Sequence, residues 1–171
     1  EAEIENRVKA LGAPCPLNLG SRPEMAVLRG AQVSFRLDAQ ALGRLDGWAG
    51  TVGATRFSAL LSMWARTLGL HNRMNRLWIG VPVANRQRAN TQNRVGLYAN
   101  MLIVPAVVGA SALEDLRKNH EQLSDGLAHQ SVPFDRLISA LSPHRDRGGH
   151  TPVLQTAIVE QPPLPAKTMG A

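Results

Sequence analysis

Polar and apolar residues alternate over Gln32-Val33-Ser34-Phe35-Arg36-Leu37, the period-two pattern of a strand with one buried face. Behind it, Leu42, Leu45, Ala49 and Val52 recur at helical spacing with Trp48 beside them. Asp38 can cap that helix, and Gly53 marks its end. A second helix opens at Thr55, where Phe57, Leu60, Leu61, Trp64 and Leu68 form one apolar stripe and Gly69 supplies a stop. Leu77-Trp78-Ile79-Gly80-Val81, ahead of Pro82, is too short for a core helix and suits a strand buried on both sides. Residues 85–94 are polar apart from Ala89 and predict an exposed loop. Residues 95–104, interrupted only by Gly96 and Asn100, predict a second central strand in which the Asn100 amide must find partners.

Ser111 and Glu114 have the spacing of a capping box, ahead of a helix through Leu113, Leu116, Leu123 and Leu127. Pro133 suits the start of another helix, with Phe134, Leu137, Ile138 and Leu141 on one face. Residues 152–159 predict a final strand. Residues 1–30 read as an irregular lead-in arm with Pro14, Pro16, Gly20 and Pro23, residues 31–161 as the folded unit, and residues 162–171 as a Pro-rich tail. The order strand, two helices, two strands, two helices, strand predicts an α/β fold, a layered sheet with packed helices.

A chain of 171 residues hides roughly 70% of its unfolded surface on folding, enough for one core without staples. Cys15, the single cysteine, excludes a disulfide framework and sits between two prolines as a passive thiol. No apolar run reaches the ~18 residues that span a bilayer, and the first residues lack the layout of a secretory signal. A cytoplasmic protein with no membrane partner is therefore expected. The net charge is +6, but the arginines lie singly and aromatics make up only 4%, so a diffusely basic surface is expected rather than a nucleic-acid site. His71, His120, His129, His144 and His150 form no metal-binding pair, and no GxSxG, GxxxxGK or GxGxxG occurs. Residues 119–126 approach a His-His-xxx-Asp-Gly acyl-transfer motif. They lack its first histidine and carry one residue too many before Asp125, so His120 reads as an ordinary helix residue.

Four phrases stand in order along the chain. They are Gly80-Val81-Pro82-Val83-Ala84-Asn85-Arg86, Val95-Gly96-Leu97-Tyr98-Ala99-Asn100-Met101-Leu102, His129-Gln130-Ser131-Val132-Pro133-Phe134-Asp135-Arg136-Leu137, and Arg145-Asp146 with Thr151-Pro152-Val153-Leu154-Gln155. Together they resemble the GTPVANR, IGFFVNTLPLR, HQDVPFERL and RDxSRxPLFQ segments of nonribosomal peptide synthetase condensation domains. That resemblance covers nearly the whole chain and implies a chloramphenicol acetyltransferase-like lobe, the C-terminal one of two.

The catalytic His-His-xxx-Asp-Gly motif of the resembled family belongs to the N-terminal lobe and has no counterpart here, so no catalytic residue is expected on this chain. The resemblance implies that the chain is a piece of a larger synthetase or the partner of a separately encoded lobe, inactive alone. It implies that Arg86 faces the motif aspartate of the other lobe, the alternative being a solvated loop arginine. Asn100, Tyr98 and Asn85 are placed by it at the tunnel for the phosphopantetheine arms of acyl or peptidyl carrier proteins, with no cofactor bound directly; a sheet asparagine satisfied by backbone is the other reading of Asn100. His129 and Gln130 read as a helix entry. Pro105 stands where the family has arginine and Ser131 where it has aspartate, and epimerisation, heterocyclisation and other condensation subtypes share the lobe. A noncatalytic docking or scaffold module is the competing function. An isolated lobe would expose its partner-facing apolar surface, so self-association is expected.

Overall fold

In the computed structural model, which describes residues 1–20, 30–87, 91–92, 94–141 and 154–161, the two central apolar runs pair with each other. β1 (Arg76–Val83) and β2 (Asn100–Val107) form an antiparallel ladder from Arg76 opposite Val107 to Val83 opposite Asn100. Runs without polar alternation need cover on both faces, and they have it. Leu77, Ile79, Val81, Leu102, Val104 and Ala106 pack to one side, Trp78 and Ile103 to the other. Each leucine, isoleucine or valine among them withdrawn from water contributes about 1.5–3 kcal/mol, so the ladder is also the centre of the core.

Helices α3 (Arg56–Asn72) and α4 (Ala112–Ala128) cover the first face, and α2 (Ala39–Gly50) lies outside them through Leu45 and Ala49. Helices α1 (Ala2–Leu11) and α5 (Phe134–Leu141) cover the second with Leu11, Leu137 and Ile138. The expected caps form: Asp38 accepts from the Ala41 N–H at 2.7 Å, Thr55 from the Ser58 N–H at 3.1 Å, and Ser111 from the Glu114 N–H at 3.3 Å. Glu114 does not return the favour, because its carboxylate is taken by Arg117 at 2.7 Å and Lys118 at 3.3 Å.

Five expectations are corrected. The arm over residues 1–30 is not irregular throughout: its first ten residues after Glu1 form α1, held by Ile4, Val8 and Leu11 on the second face and by buried Arg7, paired with Asp125 of α4. Residues 32–37 form no strand; Val33 and Phe35 are 88% and 84% exposed, since none of the described residues pairs with this backbone. Strand β2 begins at Asn100 rather than residue 95, and Val95 and Leu97 before it are exposed. The last strand shrinks to one parallel bridge, Ala157 to Gly80, in which the Gly80 N–H donates to Thr156 and the Ile158 N–H to Gly80, both at 2.9 Å. Finally, Gly69 does not end α3.

Helix α3 runs on to Asn72, and Arg73 takes the left-handed cap conformation at φ 55°. Gly69 lies inside the helix where Val108 crosses it: a Cβ there would come within 2.7 Å of Val108 Cγ2 and 2.9 Å of the Met74 carbonyl. The buried residues of α3 are Leu61 and otherwise small ones, Ser58, Ala59, Ser62, Ala65 and Gly69, with Phe57, Leu60, Leu68 and exposed Trp64 on the flanks. Small residues let α4 approach. Asn119 of α4 donates to Ser62 Oγ at 3.1 Å, donates to the Val107 carbonyl at 3.1 Å and accepts from the Val107 N–H at 2.7 Å. Its amide thus occupies the open edge of β2, where Pro105 also removes a donor, and both devices blunt that edge.

The Pro-rich tail, Pro23, the Arg145-Asp146 phrase, residues 151–153, His144 and His150 lie outside the described residues. Among the described helices none is long and apolar enough to cross a membrane.

Two measurements check these assignments. Gly69→Ala lowers unfolding stability by about 1–3 kcal/mol through overpacking, whereas Arg73→Gly, which relieves a left-handed side chain, changes it by less than about 0.5 kcal/mol; urea melts separate the two. The Arg117 guanidinium, and after it Lys118, hold the exposed Glu114 carboxyl down from 4.5 to about 2. Its pairing is therefore present above pH 4.5 and is lost as pH falls towards 2, and carboxyl NMR of Arg117→Ala shows the midpoint moving back towards 4.5.

Candidate functional site

At the end of the ladder where Val83 meets Asn100, the chain leaves β1 through Asn85, whose φ of 49° turns it sharply, and returns through Tyr98 and Ala99. The turn after α4 and the start of α5 close the opposite side. Between them is an open cleft of about 560 Å³ lined by Pro82, Asn85, Tyr98, Ala99, Asn100, Met101, Ser131, Pro133, Phe134 and Asp135. Three residues singled out from the sequence, Asn85, Tyr98 and Asn100, thus share one wall.

Asn100 holds that wall together. Its amide nitrogen donates to the carbonyls of Gln130 at 2.8 Å and Val132 at 2.7 Å, and its oxygen accepts from the Phe134 N–H at 3.1 Å. An asparagine amide has two N–H groups, and both are spent on backbone. Of the two readings of Asn100, its contacts are those of a satisfied sheet asparagine, and it reaches the cleft as a clamp between β2 and α5. His129 and Gln130 serve the same turn: the His129 N–H caps α4 on Asp125 and Gly126, and Gln130 Nε2 donates to the Leu127 carbonyl at 2.9 Å.

Arg86 is not among the lining residues. Its Nη1 donates to the carbonyls of Thr91 at 2.6 Å and Arg94 at 2.7 Å, its Nη2 to that of Gly96 at 3.2 Å, and its guanidinium stacks 4.5 Å from the Tyr98 ring centre. It therefore folds the loop onto itself and braces the Tyr98 side of the cleft, a use that neither sequence reading included. Its Nε edge makes no hydrogen bond within the described chain.

Among the described residues that line the cleft there is no histidine. His120 lies elsewhere, its Nδ1 2.9 Å from buried Ser58 Oγ between α3 and α4, in keeping with an ordinary helix residue. Among the described residues no group of three histidine, cysteine or acidic side chains is placed to hold a metal. The Cys15 thiol donates weakly to the Ala13 carbonyl at 3.5 Å. What the site offers is an apolar cleft wall with hydrogen-bonding groups beside it, chemistry suited to holding a ligand in place. Met101, Ser131, Phe134 and Asp135 join it without having been named as site residues, although all four fall within the phrases that carry Asn100 and Pro133; the turn that folds them back is not legible from spacing.

A family model described as "Condensation domain" matches residues 11–166. The chain belongs to the condensation-domain family. It is 33% identical over 168 residues to phosphinothricin tripeptide synthetase PhsB of Streptomyces viridochromogenes, covering 94% of this chain and 14% of that synthetase. It is 30% identical over 136 residues to the N-(5-amino-5-carboxypentanoyl)-L-cysteinyl-D-valine synthase of Amycolatopsis lactamdurans, covering 78% of this chain and 4% of that protein. Among solved structures, holo-AB3403, a four-domain nonribosomal peptide synthetase bound to AMP and glycine, superposes with a TM-score of 0.82 at 26% identity, over 94% of this chain and 13% of that one. The X-domain from teicoplanin biosynthesis gives a TM-score of 0.80 at 21% identity, over 91% and 36%, and shares the fold. The condensation-domain chain is thus a layered α/β unit of the chloramphenicol acetyltransferase kind and spans a small part of the synthetases it matches.

The clamp has a measurable value. Asn100→Ala leaves two carbonyls and an N–H of this condensation-domain chain short of a partner and costs about 1–3 kcal/mol of unfolding free energy. Asn100→Asp costs at least as much at neutral pH, where a carboxylate would face the Gln130 and Val132 carbonyls, and part of the loss returns as the carboxyl protonates on acidification.

Proposed function

We propose that this chain is the C-terminal lobe of a nonribosomal peptide synthetase condensation domain. It supplies one wall of the channel in which two carrier-tethered thioester substrates meet, with the catalytic histidine on the N-terminal lobe. The observation that carries the reading is the cleft itself, assembled from segments of three phrases that resemble the family's, inside the stretch matched by its family model. In the reaction, the amine of the acceptor attacks the donor thioester carbonyl, the C–N bond forms, the C–S bond breaks, and the carrier thiol leaves as the amine loses its proton. A wall braced by Asn100 and by the Arg86–Tyr98 stack contributes orientation, which restrained reactants convert into rate.

Phosphopantetheine enters on the carrier proteins. The Asn85 amide and the Tyr98 and Ser131 hydroxyls match the hydrogen-bonding groups along such an arm. The Nε edge of Arg86, which bonds none of the described residues, is the part left to meet a carboxylate of the other lobe. A net charge of +6 favours acidic carriers. A second apolar groove, of about 620 Å³ between Phe35, Leu37, Met63, Trp64 and Ile158, supports self-association of the chain when alone. The competing reading, a noncatalytic recruitment module, has a parallel in fold only: the teicoplanin X-domain has been solved in complex with OxyB.

Mixing the chain with a lobe that carries the His-His-xxx-Asp-Gly motif and two loaded carriers decides between them. The condensation reading predicts amide product from the mixture, none from either part, and a rate about ten- to a hundredfold lower with Tyr98→Ala. A folded, associated pair that forms no product supports the recruitment module.

A further inference from the structure

Among the described residues, Asp135 is the one charged side chain that lines the cleft. It stands in the first turn of α5, is exposed, and its carboxylate makes no hydrogen bond or ion pair among the described residues. Arg86, on the Tyr98 side, does not line the cleft: it stacks on Tyr98 and its Nη1 and Nη2 groups donate to loop carbonyls. The remaining walls near Asp135 are apolar, with Phe134, Met101 and Pro133 offering a surface to a hydrocarbon side chain. Of the described lining, a ligand lying here meets one negative charge beside an apolar wall and no positive charge.

We infer that Asp135 is a specificity-determining residue that receives the free ammonium group of an aminoacyl substrate. The cleft is on this account the seat of the amine-bearing acceptor rather than of an acylated donor. The inference rests on the reading of the cleft as a substrate wall and adds to it a named group and a side of the reaction. An exposed carboxylate cannot hold an ammonium tightly in water, but it discriminates a charged amine from the neutral acylamide of the same shape. It would also keep the amine at the rim until the base on the other lobe takes its proton. A role confined to complementing the α5 dipole would affect stability alone and leave ligand choice unchanged.

The test uses the whole chain and two probes, leucyl-pantetheine with an amide in place of the thioester, and its N-acetylated counterpart. Binding is followed by NMR through the Asn100 side-chain amide and the Tyr98 backbone amide. The expected result is that both probes shift these signals, that the free amine binds about three- to fivefold tighter, the size of an exposed ion pair, and that Asp135→Asn abolishes the preference while leaving affinity for the acetylated probe unchanged. Equal binding of the two probes to the unaltered chain, or a preference that survives Asp135→Asn, overturns the role of Asp135 and leaves the cleft standing. Failure of both probes to move either signal overturns the cleft reading and this inference with it.

Discussion

The antiparallel pairing of β1 and β2 is the constraint from which the rest of the molecule follows. Its register places Val83 opposite Asn100, and so fixes where the chain leaves the sheet and where it returns. Because both faces of the ladder are buried, a slip of one residue would exchange the side chains meeting α3 and α4 with those meeting α1 and α5. Trp78 fits only the second face and the small Gly80 only the approach of Ala157 and Leu154. Packing thus pins the register, and the register presents Asn100 at the last rung, where its amide can reach the turn before α5.

Position in the ladder explains why one asparagine can organise a cleft. Hydrogen bonds to the Gln130 and Val132 carbonyls and from the Phe134 N–H tie three backbone groups of one turn to the end of a strand that cannot move. The opposite rim is tied differently, by a guanidinium that gathers three loop carbonyls and stacks on Tyr98. The site is therefore rigid where the sheet supports it and depends on one arginine where the sheet ends. This division suits a surface that holds a ligand in place.

Much of this was legible in the sequence, and the failures have physical causes. The ladder, the caps at Asp38, Thr55 and Ser111 and the start of α5 at Pro133 follow from local patterns, because each depends on neighbours a few residues away. Helix α1 was missed although Ile4, Val8 and Leu11 keep a helical period; the charged residues among them, Glu5, Arg7 and Lys9, obscured it, and only the second face of the sheet gives that period a place to pack. Residues 32–37 alternate as a strand should, but strand formation needs a partner backbone that no spacing supplies. Gly69 was read as a stop because a glycine after an apolar stripe signals both a cap and a close crossing, and only the contact with Val108 distinguishes them. At the site, the family phrases indicated Asn85, Tyr98 and Asn100. The inward bracing of Arg86 and the presence of Ser131 and Asp135 depend on how two distant turns meet.

The central claim, that this cleft is where a carrier-borne arm lies, is tested most directly by trapping. With Ser131→Cys in the chain and a His-motif lobe beside it, a carrier protein whose phosphopantetheine thiol bears a chloroacetyl group will alkylate any thiol it reaches, the sulfur displacing chloride. Cys15, outside the cleft and only partly buried, is the internal control. The account predicts that peptide mapping finds the arm on residue 131 well ahead of Cys15. Labelling of Cys15 at an equal or greater rate, with residue 131 left free, would contradict it.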